Sequence, residues 1–204
     1  MSDLWKEVSE CANCTDEMPC EVHLTALAKD FMQAGVTPER LMDMALGMAS
    51  ESPDPSTQNA AFLAMPNGSP VLETASVNAF PRGVIAHPQR WQRPVKYDFV
   101  EHAERNAIFA AARHGISTDG LTIVAVWAAC ADCARAIIQS GIKRVIRYHH
   151  ENEPVHWHHT NLNAQAMFSE AGIEVITLVS EHPHAPPLLY NGEKWLPNQP
   201  AKAD

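Results

Sequence analysis

The chain is poor in positive charge: 15 Lys and Arg stand against 24 Asp and Glu, giving a formal net charge of −9 with His neutral. Long DNA or RNA is held through a dominant basic surface, so this balance argues against a polynucleotide partner. A small anionic ligand is compatible with it, because a few local basic groups outweigh acidic residues lying beyond a screening length of about 10 Å. Long apolar runs are also missing. No stretch approaches the roughly 18 consecutive apolar residues of a membrane span. The opening MSDLWKEVSE has neither the basic nor the apolar region of a signal peptide, so a soluble, cytoplasmic protein with no membrane partner is expected. Cysteines number five, an odd count that suits a reducing compartment, with thiols serving metals or cores, better than a disulfide framework. No internal repeat or low-complexity tract is present.

With 204 residues, 46% of them hydrophobic, the chain can bury one core and carry extra segments at its ends. Three parts are expected: a polar Cys/His arm over 1–24, a main domain over 25–180 and a Pro-rich, irregular tail over 181–204 that either packs on a neighbour or hangs free. Apolar residues at helical spacing predict helices in VHLTALAKDFMQAG and in TPERLMDMALGMASES. In the second, Thr37 suits the N-cap, Pro38 the first helical position and Glu39 the positive helix end. NAAFLAMP and PVLETASVN, joined through Asn67-Gly68, predict an antiparallel hairpin. FPRGVIAHPQRWQRPVKYD has no period and reads as a long loop. EHAERNAIFAAARHG is then a helix closed by Gly115 and LTIVAVW a buried strand. CADCARAIIQSG, KRVIRYH, NLNAQAMFSEAG and IEVITLV continue as helix, strand, helix, strand, so the fold class is α/β, a sheet flanked by helices.

The informative pattern is His102-Ala103-Glu104 opening one helix and Cys130-Ala-Asp-Cys133 opening another, 130 − 102 = 28 positions on. Three-residue spacing puts both sulfurs on one helix face, and a helix N-terminus favours the thiolate that a metal needs. In mid-helix His102 and Glu104 would diverge by about 200°, but in the first turn both side chains lean toward the N-terminal end and can meet at one site. One nitrogen and two sulfurs leave the fourth tetrahedral position of zinc open, the arrangement of a catalytic metal, and Glu104 supplies the proton-carrying carboxylate beside it. A chance Cys pair near an ordinary helix is the bland alternative.

H-x-E followed by C-x-x-C is the signature of zinc deaminases, met here with Ala129 where that signature has proline. Alanine can adopt the same backbone angles, at some entropic cost. The order DPSTQ, VNAFPRG, EHAERNAI, CADCARAIIQSGIKRVI across positions 54 to 147 resembles the deoxycytidylate (dCMP) deaminase family. That resemblance implies a cytidine deaminase-like three-layer α/β/α sandwich around a mixed, roughly five-stranded sheet. It also implies catalytic zinc, hydrolysis of dCMP to dUMP and ammonia, and a homo-oligomer, commonly a hexamer. It further implies that a segment GYNGxP places an Asn near the substrate sugar; here the segment reads SVNAFP, which retains Asn78 and replaces both glycines. The resemblance also implies control by dCTP and dTTP, against which stands the replacement of those glycines, since they mark the family's effector-binding region too. A turn residue ending the second strand is the other reading of Asn78.

For a substrate phosphate the candidates are Arg82, His87, Arg90, Arg93 and Lys96, each of which could equally face solvent. Glu101 and Arg105 flank the motif, either toward substrate or as a salt bridge. Cys11, Cys14, Cys20 and His23 give C-x2-C-x5-C-x2-H, four ligands suited to a second, structural zinc; the alternative is a frayed terminus with reduced thiols. His149, His150, His156, His158 and His159 crowd one expected loop, as a metal site, a substrate lid or a pH-sensitive surface. Trp157 could stack on a base or fill core. The rival functions are a deaminase of another free nucleoside or nucleotide or of a modified cytosine or other aminated base, an editing enzyme on polynucleotide, and a non-catalytic zinc module.

Overall fold

The computed structural model describes residues 36–149, 155–179 and 182–197. Along them run α1 (Pro38–Ala49), β1 (Ala60–Ala64), β2 (Pro70–Val77), a 3₁₀ turn at Pro88–Trp91, α2 (Lys96–Phe99), α3 (Ala103–His114), β3 (Thr122–Ala125) and α4 (Ala131–Gln139). After them come β4 (Arg144–Tyr148), α5 (Val155–Glu170), β5 (Glu174–Leu178), β6 (Leu188–Tyr190) and β7 (Glu193–Trp195). The helix expected over 22–35 and the Cys/His arm lie outside the described residues.

Five strands form one mixed sheet in the order β2-β1-β3-β4-β5. β1 is antiparallel to β2 and β3, while β3, β4 and β5 run parallel. Every residue of β1 and β3 is buried because helices cover both faces, which is why AAFLA and TIVA read as continuous rather than alternating apolar runs. On one face α1 sets Leu41, Met42, Ala45 and Leu46 against Phe62, Val124 and Ile146. On the other, Ala107, Ala111, Ile137 and Phe168 of α3, α4 and α5 meet Leu63, Ile123 and Val145. This is the three-layer sandwich.

Local chemistry sets the element ends. Thr37 Oγ1 accepts from the Arg40 backbone N–H at 3.4 Å, capping α1. Gly115 closes α3 at φ 68, a left-handed conformation that glycine adopts without steric cost. Gly141, just beyond α4 at φ 80, is needed twice over: a Cβ there would come within 2.5 Å of Asp119 Oδ1.

Three sequence expectations are corrected. The stretch 80–98 is not featureless, since Pro88 and Pro94 each help start a helical turn and Arg90 packs 4.4 Å from the Phe99 ring centroid. Histidines 156, 158 and 159 belong to the first turns of α5 rather than to a loop. Within its described residues, 182–197, the tail is not irregular: β6 and β7 form a hairpin whose turn residues Asn191 and Gly192 both have positive φ, 54 and 87. Asn-Gly is the sequence signal for that turn, present as plainly in YNGE as in PNGS.

Candidate active site

The site forms at the carboxyl end of β3, where parallel α/β sheets present their loops. Ala61 pairs with Ala125, so Asn59 and Trp127 face each other just beyond the paired residues. At this end α3 and α4 both begin. His102 is the N-cap of α3 with extended backbone (φ −71, ψ 148), and Cys130 is the N-cap of α4 (φ −71, ψ 170). The two-residue spacing of His102 and Glu104 works because His102 stands outside the helix, not because both lean from its first turn. Neither ligand side chain caps its own helix; neighbours do so instead. Asn78 Oδ1 accepts the Ala103 N–H at 2.9 Å, and Thr160 Oγ1 of α5 accepts the Ala131 N–H at 2.8 Å. His102 and Cys130 are thereby left free to point at a common centre.

His102 Nδ1 lies 3.6 Å from Cys130 Sγ and 3.5 Å from Cys133 Sγ. All three donor atoms fall within 4.8 Å of one another, the only such cluster among the described residues. Tetrahedral bonds of about 2.3 Å to sulfur and about 2.0 Å to nitrogen would separate N from S by about 3.5 Å, so the three residues fit zinc in size as well as in chemistry. The hydrogen bond from Cys133, and then the neighbouring His102, hold the Cys130 thiol down to about 4 against the effect of burial. The same Cys130 contact and burial push the Cys133 thiol up. Burial works to lower the His102 pKa, but the Cys130 hydrogen bond and the charge of Glu104 outweigh it and raise the imidazole above its ordinary value. Arg105, bound to Glu101 one turn back, brings its guanidinium within 3.9 Å of Cys133 Sγ. The flanking pair is a salt bridge set beside a thiol.

Glu104 is 2% exposed, and burial raises its carboxyl above the usual carboxylate range while His102 pulls the other way. Asn59 Nδ2 donates to Glu104 Oε2 at 3.2 Å. Asn59 was not singled out in the sequence, and DPSTQN carries no pattern that would have done so. An open cleft passes over His102, Glu104 and Cys130, walled by Trp127, Trp157, Tyr97 and Tyr190. Asn78, Arg93 and Lys96 line it; Arg82, His87 and Arg90 do not. Arg90 donates to the Ile85 carbonyl at 2.8 Å, and Lys96, buried, sits 2.6 Å from Asp54 Oδ2 and 2.6 Å from Ser56 Oγ. Trp157 packs on the core, as one of its two expected roles requires, and also stands edge-on to His102 with centroids 6.1 Å apart. His158 and His159 are exposed; His150 lies outside the described residues. Tyr190 comes from the C-terminal hairpin. Backbone bonds from Gln58 N to Leu189 O (2.9 Å) and Gly192 N to Ser56 O (2.7 Å) dock that hairpin beside β1, and the Tyr190 ring packs against Trp127 with centroids 4.4 Å apart and planes tilted by 42°.

Residues 36–149 match the family described as the cytidine and deoxycytidylate deaminase zinc-binding region. An uncharacterized deaminase in the luxG 3' region of Aliivibrio fischeri is 34% identical over 141 residues, covering 69% of this chain and 92% of that protein. The deoxycytidylate deaminase of Homo sapiens is 30% identical over 146 residues, covering 67% of this chain and 76% of that one. Among solved structures, the apo dCMP deaminase of cyanophage S-TIM5 superposes with a TM-score of 0.54 at 25% identity, covering 69% of this chain and 96% of that chain.

Proposed function

Because this chain belongs to the cytidine and deoxycytidylate deaminase zinc-binding family, we propose that it is a hydrolase that deaminates free dCMP to dUMP and ammonia in pyrimidine nucleotide metabolism. The observation that carries the reading is the His102, Cys130, Cys133 donor triangle opening onto a cleft beside a buried carboxylate, in a chain whose human relative is a deoxycytidylate deaminase. His102 Nδ1 and the sulfurs of Cys130 and Cys133 would hold zinc. When bound, zinc supplies Lewis acidity that brings the pKa of water down toward about 7. Glu104 accepts the proton of the attacking water and passes it to ring nitrogen N3 as the oxygen adds to C4; it then takes the proton of the new C4 hydroxyl and delivers it to the departing amine, so that C4=O forms as the C4–N bond breaks. Burial, which raises its pKa, favours the protonated form that returns the proton to the substrate. Trp157 and Trp127 would wall the base on the sides of the cleft they line. Arg93, exposed at the cleft rim beside Lys96, would take the 5′-phosphate, and Asn78, which lines the same cleft, would face the sugar.

Cys11, Cys14, Cys20 and His23 complete the proposal as a second, structural zinc site, and a cytoplasmic homo-oligomer, a hexamer by resemblance, as the assembly. Mass from light scattering checks the latter, and a measured monomer would refute it. The decisive assay runs dCMP, deoxycytidine and dCTP in parallel, following ammonia release and the cytosine-to-uracil absorbance change. Turnover of dCMP alone supports both the substrate and the Arg93 phosphate contact; turnover of none of them sinks the substrate reading.

A further inference from the structure

Asn59 stands immediately before β1, 4% exposed, inside the cleft, and the steps above do not use it. Its amide is held at both ends. Oδ1 accepts from the Trp127 backbone N–H at 3.4 Å, and Nδ2 donates to Glu104 Oε2 at 3.2 Å. The sheet fixes this orientation: a backbone N–H can only donate, so the amide oxygen must turn to Trp127 and the NH2 to Glu104. Trp127 is in turn located by the β1–β3 pairing, which continues one step past Ala61 and Ala125 through the Val126 N to Ala60 O bond of 3.3 Å. Asn59 thus hydrogen-bonds the Glu104 carboxylate directly. A core position at the head of a fully buried strand would otherwise suit an aliphatic residue, and burying an amide there is tolerable only because both of its ends are satisfied.

We propose that Asn59 is the positioning residue of the proton shuttle: its amide fixes the Glu104 side chain and reserves Oε2 as an acceptor, so that each proton moved during hydrolysis is carried on Oε1. A donor held on Oε2 disfavours a proton on that same oxygen, and the proton taken from water then leaves for the ring nitrogen or the amine from a single, fixed atom. Loss of the donor lets the carboxylate rotate, and a misplacement of about 1 Å costs on the order of 100-fold in rate. This inference rests on the deaminase reading.

Its test uses Asn59→Leu, similar in size but without a donor, and Asn59→Asp, which keeps the acceptor for Trp127 and turns the donor into a second acceptor. Both variants are assayed on dCMP beside the wild type, with bound zinc quantified. Asn59→Leu is expected to retain zinc while kcat and kcat/KM fall together by on the order of 100-fold, KM changing little. Asn59→Asp should be weakest at alkaline pH and recover relative to wild type as pH falls, because the introduced carboxyl regains a donor once it is protonated; a merely structural role leaves that ratio flat. Wild-type-like kcat in Asn59→Leu, or a flat ratio in Asn59→Asp, overturns the proposal. A wild type inactive on dCMP would instead overturn the substrate reading, and the contact is then judged crystallographically, an unmoved Glu104 carboxylate in Asn59→Leu counting against it. Should neither variant fold, a crystal structure of the wild-type holoenzyme decides, and an Asn59 amide turned away from Glu104 overturns the assignment.

Discussion

Glu104 and Asp54 are both buried carboxylates with opposite roles. Glu104 faces the cleft, and replacing it with Ala should leave zinc bound while lowering kcat by about 10²–10⁴-fold, read by elemental analysis beside the dCMP assay. Burial raises its pKa in the folded chain, so its stabilising contribution is complete below the unfolded value and is lost as pH rises through the folded one. Glu104→Gln, compared with wild type in zinc-stripped protein by denaturant titration, should therefore gain stability above that window and match wild type in acid. Asp54, by contrast, is spent within the fold: it is fully buried against Lys96 and accepts the Ser56 and Thr57 backbone N–H groups at 2.9 and 3.1 Å. Asp54→Ala strands the Lys96 ammonium, and a loss of about 3–5 kcal/mol by urea unfolding is expected. At this scale the sequence was most legible for the metal donors and Glu104, whose spacing is itself the chemistry. It was least legible for Asn59, because an isolated amide has no periodicity and its significance appears only when a strand 45 positions away from Glu104 is folded against it.

Among elements, α3 and α4 share one device: a ligand stands at the N-cap and another element supplies the cap. Thr160→Val removes the donor's partner at α4, so the entry of Cys130 and Cys133 loosens; a cost of about 0.5–2 kcal/mol in stability and a weaker hold on zinc, measured by competition with a chelator, are expected. The C-terminal hairpin is where sequence pattern carries least. Its strands are only three residues each, too short for alternation to register, and the proline-rich surroundings suggest a loop. Leu188, 1% exposed, ties it to the α1 side of the core. Leu188→Ala should cost about 2–5 kcal/mol by thermal or urea unfolding and, by loosening Tyr190 from the cleft wall, raise KM for dCMP.

At the scale of the whole molecule, metal and fold are coupled. Zinc that binds only the folded chain stabilises it by mass action, so chelation should abolish activity and lower Tm together, and re-addition of zinc should restore both. Elemental analysis then weighs the N-terminal arm: two zinc ions per chain support the Cys11, Cys14, Cys20, His23 site, and one sinks it. The sequence by itself determined the order of the five sheet strands and the longer helices between them, the α/β class and the donor set, because burial on two faces, helix caps and ligand spacing are local properties written in runs of a few residues. Only the tertiary structure decided which basic residue reaches the cleft, that the last strands wall it, and that Asn59 faces Glu104. Those facts depend on strand register and on where separate helices begin, and chain order does not encode distances between segments that meet only after the sheet has formed.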